Sequence, residues 1–188
     1  MCYYCFLYLR LHKFYETYLM ENLHFRSAKA QDLQAIWSII QQAILRRKKD
    51  GSNQWQDGYP NPEVLKRDLN KGSGFVLCID RLIVGYTAIL INDEPEYKKI
   101  EGSWVTNSDF VVFHRVAISE SHLGKGLAKA MFSYIEDFAR KNNIKSIKAD
   151  TNFDNPAMLS LFEKSEYRYC GKVYFRGSPR KAYEKVIE

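Results

Sequence analysis

The stretch FVVFHRVAISESHLGKGLAKAM, residues 110–131, decides the fold of this chain. Its almost unbroken apolar run from Phe110 to Ile118 predicts a central strand that is covered on both faces. A short polar loop follows, ends in Gly124-Lys125-Gly126, and leads into an amphipathic helix. The first N–H groups of a helix have no partner within the helix, and the helix dipole favours negative charge there. This order therefore predicts a phosphate-binding site.

The segments on either side of this stretch predict alternating helices and strands. Apolar residues spaced by three and four indicate one buried helical face between Leu33 and Ile44. A capping Asn followed by Pro predicts helix starts at Asn61 and Asn155. The complete prediction is strands at 24–29, 75–79, 82–91, 110–118, 144–151, 167–175 and 181–187, helices at 31–49, 62–72, 127–139 and 156–165, and an irregular segment at 92–108. One α/β domain follows from this order.

Composition and charge narrow the class of partner. The chain has 188 residues, of which 46% are hydrophobic and 27% charged, and this is typical of a single globular domain. Its net charge of +6 indicates an anionic partner. The basic residues are scattered except for Arg46-Arg47-Lys48-Lys49, which suits a helix C-terminus. We therefore expect a phosphate-bearing small molecule rather than nucleic acid.

The four cysteines predict neither a metal site nor a disulfide framework. Cys2, Cys5, Cys78 and Cys170 lack the spacing of zinc ligands and of a small disulfide-linked scaffold. We therefore expect no bound metal and a reducing compartment, the cytoplasm.

Residues 1–22 are predicted to be an N-terminal extension that precedes the domain at 23–188. The extension is rich in Tyr, Leu and Phe, but charged residues interrupt it, so no membrane span is predicted. One interpretation is an amphipathic helix that docks on the domain, on a partner or on a membrane surface. The other is that translation starts at Met20, in which case residues 1–19 do not belong to the native protein.

The whole order of elements resembles the GNAT superfamily of acyl-CoA-dependent N-acyltransferases, over about residues 23–188. Three features carry the resemblance. They are Arg115-Val116-Ala117-Ile118 followed by Leu123-Gly124-Lys125-Gly126-Leu127-Ala128, the Asn-led helix Asn155-Pro156-Ala157-Met158-Leu159-Ser160-Leu161-Phe162-Glu163-Lys164, and the two strands after Tyr167. The resemblance implies a strongly twisted mixed sheet flanked by helices, with acetyl-CoA as the acyl donor.

The resemblance also implies which residues hold CoA. The strand end pairs with pantetheine through its backbone, the loop N–H groups hold the pyrophosphate, and the Asn-led helix lies beside the thiol arm. The residues carried over are Val116, Ala117, Ile118, Leu123, Gly124, Lys125, Gly126, Leu127, Ala128, Asn155, Phe162 and Lys164. Two positions depart from the pattern. The family usually has Arg or Gln where this chain has Leu123, and many members have a Tyr that protonates the leaving thiolate where this chain has Phe162.

The implied reaction is direct attack of a primary amine on the thioester in a ternary complex. A neutral amine is needed, so a general base or a water relay is useful at neutral pH. We expect the base to be His114 or Glu94, with Glu96 and Asp109 as further candidates. A core histidine satisfied by a neighbour and solvated loop carboxylates are the structural alternatives. The resemblance implies that a backbone N–H near residues 117–118, where the strand should splay, stabilises the oxyanion.

The acceptor-binding residues are predicted to lie in the loop before the second helix. Aromatic Trp55 and Tyr59 in a polar loop would line the pocket, Asp57 would attract an ammonium group, and Asn152 would contact the acceptor or the thiol arm. The alternatives are that Trp55 anchors the loop to the core and that Asn152 forms a turn. The lack of a clear acid or base favours an alternative function, a CoA-binding regulatory module without turnover. Many relatives pair as dimers, so a homodimer is also expected.

Overall fold

The computed structural model describes residues 18–19 and 21–188, and most of the predicted extension lies outside this part. Tyr18 and Leu19 contact the domain: the Tyr18 hydroxyl donates to Asp80 Oδ2 at 2.7 Å, and Leu19 is buried in the largest core. The described elements are β1 (Leu23–Ser27), α1 (Leu33–Lys49), α2 (Pro62–Asn70), β2 (Gly74–Ile79), β3 (Leu82–Ile91), β4 (Glu101–Gly102), β5 (Phe110–Ile118), α3 (Leu127–Lys141), β6 (Ser146–Thr151), α4 (Pro156–Lys164), β7 (Arg168–Phe175) and β8 (Ser178–Val186).

The strands form one eight-stranded mixed sheet in the order β1-β2-β3-β5-β6-β8-β7-β4. The β5–β6 pair is parallel, and the other neighbouring pairs are antiparallel. The predicted α/β fold, a mixed sheet flanked by helices, is confirmed. Most helix and strand ends differ from the predicted ones by at most two residues, and the larger differences are local. Residues 92–108, predicted to be irregular, contain a short 3-10 helix and the two-residue β4, and β8 begins at Ser178 rather than at Lys181.

The helix starts follow the capping chemistry that the sequence predicts. Asn61 Oδ1 accepts from Val64 N at 3.0 Å, and Asn155 Oδ1 accepts from Met158 N at 3.2 Å. Proline occupies the first position of α2 and of α4. Proline at this position has no N–H to leave unsatisfied and already has a helical φ, so both starts are well defined.

The helices cover both faces of the sheet. α1 and α2 pack on one face, where Ile36, Ile40 and Leu65 contact β2, β3 and the buried Ala117. α3 and α4 cover the other face in the largest core, which includes Met131. Within the part of the chain that the structure describes, no helix combines the length and the apolar character that crossing a membrane needs.

The two parallel strands at the centre of the sheet separate along their length. β5 and β6 pair only where residues 110–112 face residues 146–148. Beyond this point β6 stays paired with β8 and β5 with β3. A bulge lies in the separated part of β5, because Arg115 and Val116 together face Thr87. The strands therefore form a wedge that opens toward their carboxyl ends.

Candidate active site

A cleft of about 210 Å³ lies in the wedge between β5 and β6. The end of α1, the loop before α2, β5 and the start of α4 form its walls. The cleft brings together nine of the residues predicted from the sequence, which are Trp55, Tyr59, His114, Val116, Ile118, Leu123, Ala128, Asn155 and Phe162. Residues that are far apart in the sequence therefore meet where the sheet opens.

The other predicted cofactor residues do not line the cleft itself. Ala117 is buried against α1 and α2, and Leu127 is buried in the largest core. The side-chain amine of Lys125 donates to Ser121 O at 3.0 Å. Gly124 and Gly126 are exposed in the loop, and Lys164 is exposed at the end of α4. The residues of this set between 117 and 127 can still offer backbone N–H and C=O groups to a ligand, even though their side chains do not line the cleft.

The glycine loop provides the helix start that the sequence predicts. Gly124 and Gly126 both have a φ of 75°, the left-handed conformation that glycine adopts without a steric penalty. The first helical hydrogen bond of α3 runs from Ala130 N to Gly126 O at 3.0 Å. The N–H groups of residues 127–129 precede this bond and have no helical acceptor, so they are donors for an anion.

The separated part of β5 offers a second set of backbone groups. On the side toward β6, no described strand pairs with residues 113–118. Unpaired strand groups bind an extended ligand with alternating donors and acceptors, and the amides of pantetheine have this character. The strand edge at the cleft and the helix start that follows the glycine loop therefore both have backbone groups available to a ligand.

The two predicted base candidates lie side by side. His114 Nε2 is 2.8 Å from Glu94 Oε2, and their side chains are only 15% and 11% exposed. The two groups are not aligned as a hydrogen bond, so His114 Nε2 has no hydrogen-bond partner among the described residues. Burial raises the pKa of Glu94, and a hydrogen bond with Glu96 adds to this effect. The same hydrogen bond lowers the pKa of Glu96.

Comparison with known proteins identifies the family. The model of the Acetyltransferase (GNAT) family matches residues 34–167, most of the chain. The chain belongs to the GNAT acetyltransferase family. A GNAT-family acetyltransferase from Streptococcus agalactiae 2603 is 32% identical with a TM-score of 0.80, and the match covers 88% of this chain and 96% of that one. A search of the curated proteins found no match.

More distant structures share the GNAT fold. A GNAT-family acetyltransferase from Listeria monocytogenes 4b F2365 is 17% identical with a TM-score of 0.71, over 88% of this chain and 95% of that one. The yncA acetyltransferase from Salmonella typhimurium, solved with acetyl-CoA, is 16% identical with a TM-score of 0.64, over 89% and 95%. GNAT-family enzymes use acetyl-CoA as the acetyl donor.

A buried acid at the end of β6 belongs to this GNAT cleft, and sequence reasoning missed it. The Asp150 side chain is 1% exposed, and both Asp150 and Arg180 line the cleft. The Asp150 carboxylate accepts hydrogen bonds from Tyr97 OH at 2.8 Å and from Arg180 Nη1 at 3.1 Å. Burial raises the pKa of Tyr97 well above its usual value, and the charge of Asp150 adds to the shift. The sequence feature that could have revealed Asp150 is its position as an acidic residue near the end of β6, the strand that pairs in parallel with β5.

A second buried network holds the bulge of β5, and sequence reasoning missed its acid as well. Asp68 on α2 accepts from Arg115 Nε at 2.9 Å and from Arg115 Nη2 at 2.8 Å. Tyr86 OH donates to the same carboxylate at 2.7 Å, and Arg115 Nη1 donates to Tyr59 OH. Burial raises the pKa of Tyr86, and the charge of Asp68 adds to this effect. Tyr59 is therefore fixed at the cleft by the same arginine that occupies the bulge.

The remaining acceptor candidates divide between the cleft and the surface. Trp55 lines the cleft and also packs against the core under α1. Asp57 is exposed and pairs with Arg176 Nη1 at 2.8 Å. Asn152 is partly buried just after β6 and does not line the cleft. Two of the four residues predicted to contact the acceptor, Trp55 and Tyr59, therefore reach the cleft.

Phe162 presents a ring, and no hydroxyl, to the GNAT cleft. It is fully buried, with its ring centroid 4.6 Å from that of Tyr183 and 5.2 Å from that of Tyr167. A phenyl ring cannot donate a proton to a leaving thiolate. Its contacts instead form part of the largest core at the base of the cleft.

Proposed function

We propose that this GNAT protein transfers the acetyl group of acetyl-CoA to a primary amine of a small molecule or peptide, by direct attack in a ternary complex. One observation carries the proposal. The cleft that reaches the glycine loop at Leu123 also contains His114, whose ring contacts a buried carboxylate. A donor bound at the loop and a base at His114 would therefore face the same cavity.

The donor would be held by backbone groups. The unpaired edge of β5 at residues 116–118 would bind the pantetheine amides, and the N–H groups of residues 124–128 would bind the diphosphate. Bound in this way, acetyl-CoA supplies an acyl group that is already activated as a thioester. An N–H at Ala117 or Ile118 would stabilise the charge that develops on the carbonyl oxygen. Asn155 and the exposed Lys164 would contact the donor from α4.

Glu94 and His114 would remove the proton of the attacking ammonium group. His114 lines the cleft, while Glu94 lies behind it, so the proton would pass to the imidazole and the carboxylate would stabilise the resulting charge. Burial raises the pKa of Glu94, and its anion is therefore a stronger base than an exposed glutamate.

The acceptor would enter past Trp55 and Tyr59. Asp150 and Arg180 form a buried charge pair in the wall of the same cleft, so the acceptor would meet one group of each sign. Asp57 and Asn152 would be reached by an acceptor that extends beyond the cleft, as a peptide would. Since Phe162 has no proton to give, the CoA thiolate would leave unassisted or with a proton from water.

Calorimetry and a thiol-release assay test this proposal. Acetyl-CoA should bind the purified protein, and CoA should be released in the presence of at least one member of a broad amine panel. In the Glu94→Gln variant, kcat should fall by about 10²- to 10⁴-fold at each pH, because the imidazole of His114 loses the carboxylate that stabilises its charged form. Asp109→Asn is the matched control, because this carboxylate is exposed and contacts Asn92 Nδ2 at 2.9 Å. It should keep the wild-type profile.

Two outcomes would reject parts of the proposal. Binding of acetyl-CoA without thiol release for any amine would favour the CoA-binding regulatory module instead of an enzyme. Equal losses in the Glu94 and Asp109 variants would remove the role of the buried pair.

A homodimer in the cytoplasm stays a prediction, and sedimentation of the purified chain and fractionation of cells test it.

A further inference from the structure

The C-terminal end of α1 forms the cleft wall next to the glycine loop. Arg46 Nη1 lies 3.1 Å from Glu120 Oε2, and Gln42 Oε1 accepts from Glu120 N at 2.8 Å. These contacts hold α1 against the turn that leads into the loop. Arg46 and Arg47 both line the cleft, together with Leu123. Two guanidinium groups therefore lie on the side of the cleft where a donor diphosphate would bind.

Arg47 is buried with part of its hydrogen-bonding capacity unused. The residue is only 9% exposed, and its Nη2 contacts Asp50 Oδ2. Its Nη1 is buried and has no acceptor in the part of the chain that the structure describes. A buried guanidinium N–H is unfavourable unless an acceptor reaches it. Because Arg47 lines the cleft, a bound ligand can supply that acceptor.

The charges around this end of the cleft favour an anion. Among the described residues that line the cleft, Asp150 is the only carboxylate, and Arg180 already pairs with it. The acidic partners of Arg46 and Arg47 lie outside the cleft, with side chains that are 59% and 45% exposed. The N-terminus of α3, which also attracts negative charge, follows the same loop. Among the described residues that line the cleft, no carboxylate is therefore left to neutralise Arg46, Arg47 or the N-terminus of α3.

We propose that Arg47, with Arg46 beside it, binds the diphosphate of acetyl-CoA from the α1 side of the cleft. In this role it replaces the Arg or Gln side chain that the family usually has where this chain has Leu123. A guanidinium can give two parallel hydrogen bonds to phosphate oxygens, which a leucine cannot. The inference rests on the donor site described under the proposed function and assigns a ligand to a side chain outside the glycine loop.

Calorimetry with three ligands tests the assignment. CoA and dephospho-CoA carry the diphosphate, whereas pantetheine lacks it. The Arg47→Gln variant should bind CoA and dephospho-CoA about 10- to 100-fold more weakly, the usual effect of losing a hydrogen bond between charged groups. Its affinity for pantetheine should stay within about two-fold of wild type, because no diphosphate contact is lost. Lys48→Gln is the matched control, since it removes the same charge from the next, exposed residue.

The outcomes separate the two claims. An Arg47→Gln variant that binds CoA as tightly as wild type, or that loses pantetheine equally, would overturn the assignment and leave the donor site intact. Failure of the wild type to bind CoA would overturn both. If Arg47→Gln melts before binding can be measured, Arg47→Lys replaces it. Lysine keeps the charge but loses the paired hydrogen bonds, so a loss of about three-fold or more on CoA and none on pantetheine is expected.

Discussion

Replacing Asp68 by alanine should destabilise the protein more than replacing any exposed acid. The Asp68 carboxylate accepts three hydrogen bonds, from Nε and Nη2 of Arg115 and from Tyr86 OH, at 2.7–2.9 Å. Both charged side chains are buried, with exposures of 10% for Asp68 and 7% for Arg115. The alanine variant leaves the guanidinium and the phenol without this acceptor, and water reaches neither group easily.

The expected cost follows from this burial. Removing one partner of a buried ion pair costs about 3–5 kcal/mol, because the other charge stays buried and uncompensated. For a domain of this size each kcal/mol lowers the melting temperature by about 2–4 °C. Asp68→Ala should therefore melt roughly 6–20 °C below wild type. Asp68→Asn keeps one acceptor oxygen and should lose less.

Urea unfolding and thermal melts followed by circular dichroism measure this difference. The control is Asp137→Ala, which removes an exposed acid 3.2 Å from Arg140 Nη1 and should cost about 0–1 kcal/mol. If the free energies of unfolding of the two variants agree within about 1 kcal/mol, breaking the buried Asp68–Arg115 pair does not cost the expected stability.

Three further predictions concern other buried positions. Burial raises the pKa of Glu94, so the folded state favours the protonated carboxyl. The stability that this preference contributes is fully present below the pKa of Glu94 in the unfolded chain, and it is lost as pH rises through the pKa in the folded protein. Melting curves of Glu94→Gln should thus depend less on pH above the ordinary glutamate range than those of wild type; equal dependence would contradict this. Gly85→Ala places a Cβ 2.8 Å from Ile118 Cδ1 and Met131 Cε and should cost about 1–3 kcal/mol in urea unfolding, whereas wild-type stability would show that these neighbours move freely. Phe162→Ala should cost about 3–5 kcal/mol by the same measurement, and a loss under about 1 kcal/mol would contradict its place in the core.

The fold was predictable where one local pattern decided the conformation. β5 has the predicted bounds, Phe110–Ile118, because an unbroken apolar run fits a strand buried on both faces. The starts of α2 and α4 follow from Asn-Pro pairs, whose capping acts within a few residues. β4 has only the two residues Glu101–Gly102, so no periodicity exists for a sequence pattern to reveal.

The site was less predictable because its acids act on distant residues. His114 and Glu94 stood out by residue type, but nothing in their spacing showed that they touch across a loop. Asp68 lies in an amphipathic helix, where an acid normally faces solvent, and its partner Arg115 is 47 residues away. Asp150 was hard to predict for the same reason, because it meets Arg180 only through the pairing of β6 with β8. Side chains of this kind become visible only when the strand order is known.

The opening of the cleft depends on the same distant contacts. Arg115 has a φ of 57°, a conformation that costs a non-glycine residue energy, and bulges of this form usually place glycine there. The bidentate pair with Asp68 fixes the arginine side chain and offsets that cost. Thr87 Oγ1 donates to His114 O at 3.0 Å beside the bulge. Helix α2 therefore helps to set the path of the strand edge at which CoA would bind, although none of its residues lines the cleft.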